Sequence, residues 1–143
     1  MSHSGRSGDT STSQMSQRAL ALRFLTRTQA EVAQMRACLP EEPLAIEQAA
    51  VAHVERLAHK ISSGAEVFGF PEIDAIAGAI ELMSQDRVGR TVRERLALSA
   101  RLTERISALS VYVEYELAEN EAKRVPDQLP MSAHLPGFGA RRK

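Results

Sequence analysis

Apolar residues recur along the chain in four runs with helical spacing. In the first, Ala21, Leu25, Val32, Met35 and Leu39 follow steps of three, four and seven, which puts them on one face of a helix. Ser13 or Ser16 is an acceptable N-cap, so the helix is expected to start there and to stop before Pro40 and Pro43. The second run, expected over residues 44–68, carries Ile46, Ala50, Val54, Leu57, Ile61, Ala65 and Phe68 at steps of three and four. Gly69 suits a left-handed stop and Pro71 the first turn of the next helix. That third helix is expected over 71–85 and buries Ile73, Ile76, Ala77, Ile80 and Met83. After a polar link over 86–90, the fourth is expected over 91–121. Its face is Val92, Leu96, Leu102, Ile106, Leu109, Val113 and Leu117, interrupted by Ser99. No stretch reads as a strand or hairpin. Four amphipathic helices joined by short links bury their stripes most simply as an all-α, antiparallel four-helix bundle.

The flanks differ from this core. Residues 1–15 are polar and lack the apolar groups that would offset the entropy of ordering them, so a disordered tail is expected. Pro126 and Pro130 end the helical pattern, and residues 122–143 are expected to be irregular. The bundle is thus assigned to residues 16–121. At 143 residues, 43% of them hydrophobic, the chain suffices for one core and not two.

Charge narrows the choice of partner. Lys plus Arg and Asp plus Glu each total 18, so there is no surplus of positive charge to draw nucleic acid or an acidic membrane. The single cysteine, Cys38, excludes an internal disulfide and lies in an apolar helical stretch as a small hydrophobe. No apolar run approaches the ~20 residues of a membrane span, and the polar N-terminus has no signal-peptide core. A cytoplasmic monomer is expected.

The chain has no glycine-rich phosphate loop, no recognisable Ser/His/Asp set and no Cys/His zinc spacing. His53 and His59 lie about 240° apart around a helix, so they cannot share a metal, and no metal site is expected. His3 and His134 fall in the expected tails. His59 lies about 200° from Leu57 and Ile61 of the buried stripe and so projects toward solvent. Ser62 and Ser63, one turn on, are small enough to let a partner approach.

The string from Ala58 to Pro71 (Ala-His-Lys-Ile-Ser-Ser-Gly-Ala-Glu-Val-Phe-Gly-Phe-Pro) resembles the active helix of the histidine phosphotransfer (HPt) family. That family's pattern is His, any residue, an aliphatic, Lys, Gly, five residues and a Gly, and His59, Ile61 and Gly69 match it in register. The Phe68-Gly69-Phe70 turn is similar to that of the phosphotransfer domains of chemotaxis kinases. A carboxylate or amide often follows 22 residues after the family's histidine, and here that position is Glu81. The pattern is broken at two places, where Ser62 replaces the Lys and Ser63 the first Gly.

The resemblance implies a phosphoryl carrier rather than a conventional enzyme. His59 would be the phosphoacceptor, Glu81 would accept a hydrogen bond from Nδ1–H, and Nε2 would be the nucleophile. Lys60 or Arg56 would take over part of the missing lysine's charge role. Ala52, Ser62, Ser63 and Gly78 would supply a low-relief docking surface. The partners implied are response-regulator receiver domains and a hybrid histidine kinase. The magnesium and the aspartate both belong to the receiver, so no cofactor is expected of this chain. Two rival readings remain: a degenerate HPt-fold adaptor that binds receivers or kinases without carrying phosphate, which the missing lysine favours, and a generic helical interaction protein.

Overall fold

The computed structural model describes residues 4–41, 44–85 and 90–124. It contains four helices: α1 (Ser4–Ala37), α2 (Gln48–Phe68), α3 (Pro71–Ser84) and α4 (Val92–Arg124). Each helix packs on its neighbours in sequence, and α4 closes the ring against α1. The α2–α3 pair is the most intimate contact. The result is the expected all-α, antiparallel four-helix bundle, without a strand among the described residues. No helix in them is long and apolar enough to cross a membrane.

The core joins all four helices. Leu25, Val32 and Met35 of α1 meet Val54, Leu57, Ile61 and Ala65 of α2, Ile73, Ala77 and Ile80 of α3, and Leu102, Ile106, Leu109 and Val113 of α4. Burying the Val, Leu, Ile and Met side chains among them contributes about 1.5–3 kcal/mol each, which is what holds the helices together.

Several boundaries differ from the sequence pattern. The first helix spans Ser4–Ala37 and so begins before Ser13 or Ser16. A helix is costly to nucleate and cheap to extend, and the packed stretch from Ala21 onward supplies the nucleus. In α2, residues 44–47 precede the helix, with Glu47 extended (ψ 146°), although Ile46 is still fully buried. On α4, Val92 and Leu96 are exposed, and Leu98 and Ser99 take the core positions. Steps of four back from Leu102 reach Leu98, whereas Leu96 lies about 120° away from that face. Ser99 is tolerated there because its hydroxyl donates to the Leu44 carbonyl (3.0 Å), tying the segment before α2 to α4. His3, His134, residues 86–89 of the polar link and the tail from 125 onward lie outside the described residues.

Local signals set the helix ends that frame the site. Gly69 has φ 77°, a left-handed conformation that side chains disfavour. The Phe70 amide then donates back to the Ala65 carbonyl (2.9 Å), which caps α2 and turns the chain into α3 with Pro71 in its first turn. The buried Phe70 ring stacks on Phe24, which also stacks on Phe68. At the start of α4, Thr91 and Glu94 form a reciprocal capping box: the Thr91 amide donates to Glu94 (2.8 Å), and the Glu94 amide donates to the Thr91 hydroxyl (3.1 Å).

Candidate functional site

The tight Gly69–Phe70 turn lays α3 antiparallel beside α2, and this fixes which residues face each other across the groove. Two side-chain bonds cross the groove. His59 Nδ1 donates to Glu81 Oε2 at 2.8 Å. One turn further along α2, the Ser62 hydroxyl donates to Asp74 Oδ1 at 2.5 Å.

The first bond leaves a reactive atom free. The His59 side chain is 68% exposed even though Glu81, its partner, is only 22% exposed. The imidazole is therefore anchored at Nδ1 while its far edge faces solvent. The tautomer with the proton on Nδ1 satisfies the carboxylate and leaves the Nε2 lone pair available.

His59 and Glu81 share a shallow depression of about 520 Å³ with Ala52, Glu55 and Arg56. Arg56 brings a cation to this wall, and its guanidinium donates to His53 Nδ1 at 3.4 Å, a long and weak contact. Lys60 points elsewhere. Its ammonium lies 3.1 Å from Glu31 Oε2, a buried carboxylate of α1. The structure therefore divides the two cations, with Arg56 in the depression and Lys60 committed to the α1–α2 seam.

Among the residues expected to form a docking surface, Ala52 lines the depression. Ser63 is exposed, and Gly78 is half-buried with open space where a side chain would stand. Ser62 is half-buried and engaged by Asp74, not presented as a bare surface hydroxyl. No three His, Cys, Asp or Glu side chains converge as a metal site among the described residues.

Three residues that matter here were not singled out by pattern. Glu31 is a carboxylate on the buried face of α1, seven residues after Phe24 and four before Met35, so its register on that face was available as a signal. Asp74 looks like an ordinary acidic residue in the first turn of α3, and only the α2–α3 pairing reveals its partner. Gly64 stands where α2 meets the Phe24 ring: a Cβ there would fall 2.3 Å from Phe24 Cε1.

The fold and site define a four-helix bundle that carries a solvent-facing, carboxylate-anchored imidazole on the outer surface of its second helix and not in an enclosed cavity. The Hpt domain family matches residues 19–112, and the chain belongs to that family. Comparison with curated proteins returns no match, and neither does comparison with solved structures. Membership places the chain in two-component phosphorelay phosphotransfer, where Hpt domains interact with receiver domains and histidine kinases.

Proposed function

We propose that this chain is a phosphoryl shuttle whose phosphoacceptor is His59, exchanging the group with aspartates of receiver domains. One observation carries this reading: the imidazole is held at Nδ1 by Glu81 at 2.8 Å while the ring remains 68% exposed.

The chemistry follows from that geometry. Phosphoryl transfer through a loose transition state depends on positioning and on charge stabilisation. The Nε2 lone pair attacks the phosphorus of a receiver's phosphoaspartate, the acyl P–O bond breaks, and the aspartate carboxylate leaves. The Nδ1 proton stays in its bond to Glu81, whose negative charge stabilises the cationic ring that forms. Arg56, on the wall of the same depression, faces the incoming phosphoryl oxygens. Ala52 gives the receiver a low-relief edge to approach. The receiver supplies the metal, and the shuttle acts as a monomer in the cytoplasm.

The experiment is incubation with a panel of phosphorylated receiver domains, scored by acid-labile label on this chain and by mapping its position. Label on His59 supports the shuttle. The second reading, an HPt-fold adaptor that binds without carrying phosphate, draws support from the Ser62–Asp74 bond, which puts a carboxylate one turn from His59. Receiver binding without any label would favour it.

A further inference from the structure

The groove between α2 and α3 is acidic on the side from which His59 is held. Glu81 and Asp74 are seven residues apart on α3, two turns, so they share a face about 10 Å apart along the helix. Both carboxylates reach α2 at residues one turn apart, His59 and Ser62. Glu81 is matched by the imidazole. Asp74 is matched only by a neutral hydroxyl, among the hydrogen bonds described for it. Of the five residues lining the depression, Arg56 brings the positive side chain and Glu55 a further acidic one. A phosphoryl group placed on His59 brings about two more negative charges into this field.

We propose that the Ser62–Asp74 pair is a poising device. It fixes a second carboxylate one helical turn from His59 and biases His59 toward giving the group up rather than holding it. The inference rests on His59 being the phosphoacceptor. Ser62 orients the carboxylate through its hydrogen bond, and Asp74 supplies the charge. A cation introduced at position 62 would be captured by Asp74 before it could serve a phosphoryl group, since the carboxylate already reaches that side chain at hydrogen-bond distance.

The test labels the full chain at His59 with phosphoramidate. Nε2 attacks phosphorus, the reagent's P–N bond breaks, ammonia leaves, and the Nδ1 proton remains with Glu81. Two quantities are read: the midpoint of the phosphoryl group's second ionisation by phosphorus NMR, and the equilibrium share of label between this chain and a receiver that accepts it. Asp74→Asn keeps an oxygen for Ser62 to donate to while removing the charge. It should lower the midpoint by about 0.3 pH unit and raise the chain's share of label about threefold, with both effects shrinking in high salt. Ser62→Ala, which breaks the bond but keeps the charge, should move the midpoint far less. Ser62→Lys alone should change the share by less than about twofold, whereas Ser62→Lys with Asp74→Asn should exceed either single variant. The proposal is overturned if Asp74→Asn moves neither quantity, or if Ser62→Lys alone equals the double variant. Failure of the wild-type chain to take label at residue 59 would overturn the phosphoacceptor reading itself.

Discussion

Lys60 and Glu31 form a cross-helix ion pair in which the acid is buried and the base is not: Nζ lies 3.1 Å from Oε2 while Lys60 remains largely exposed. The other Glu31 oxygen is buried without a hydrogen-bond partner among the described residues, and Arg27 approaches only to 3.7 Å. Removing Lys60 therefore strands most of a buried charge. Lys60→Ala should cost about 1–3 kcal/mol, below the range for a wholly buried pair because the ammonium side is solvated. Glu31→Gln in the same chain should recover much of the loss. Thermal melts of the two variants check this, and phosphotransfer in Lys60→Ala should stay near wild type at temperatures where it is folded.

Arg56 should behave in the opposite way. Its guanidinium lines the depression with His59, is exposed, and among the described residues contacts His53 at 3.4 Å. Arg56→Ala should leave the melting temperature nearly unchanged and slow transfer to His59 by about threefold to tenfold, since a solvated charge contributes modestly. Stopped-time labelling at several salt concentrations is the check, and the wild-type advantage should narrow as salt rises.

Gly64 is required by close approach. A methyl group there meets the Phe24 ring at 2.3 Å, and that ring cannot swing away without losing its stacking on Phe68 and Phe70. Gly64→Ala should destabilise the bundle by about 1–3 kcal/mol through overpacking, despite the better helix propensity of alanine. Denaturant unfolding measures it.

Burial raises the Cys38 thiol above its ordinary value of 9.0. Only the thiolate reacts, so alkylation by iodoacetamide at neutral pH should be several-fold slower than for a free cysteine. The rate should climb as pH rises through and above the ordinary thiol range, with full reactivity reached later than in the unfolded chain. Mass-spectrometric time courses at a series of pH values follow both.

Much of this structure was legible in the sequence, for identifiable reasons. The stripes of α2 and α3 are regular, so Val54, Leu57, Ile61, Ile73 and Ile80 fall in the core where the spacing places them. Gly69 and Pro71 mark a turn that backbone geometry almost dictates. Helix ends without such punctuation were not legible: nothing in the polar residues before Ala21 announces that α1 extends to Ser4. The start of α4 misled because two periodic faces overlap near Leu96 and Leu98, and only packing selects the second. At the site, the family resemblance implies a partner carboxylate at Glu81, 22 residues after His59, and the two side chains do meet. The fate of Lys60 and Ser62 depended on carboxylates contributed by other helices, Glu31 and Asp74, which no local pattern ties to them.

In the proposed shuttle Glu81 orients His59 and is not the nucleophile, so Glu81→Ala should slow labelling without abolishing it. Its effect should be largest on the rate at which His59 gains a phosphoryl group, because loss of the Nδ1 bond frees the ring to rotate. Comparing time courses of wild type and variant against one phosphorylated receiver separates a slower rate from a lost site.

The most direct measurement is acid-labile labelling of His59→Gln by a phosphorylated receiver, beside the wild type and with unfolding followed on the same samples. The imidazole is 68% exposed and packs little, so stability should change by no more than about 0.5 kcal/mol. The expected result is a folded variant that takes no label, against a wild-type chain labelled at residue 59. Labelling that persists in His59→Gln would contradict it.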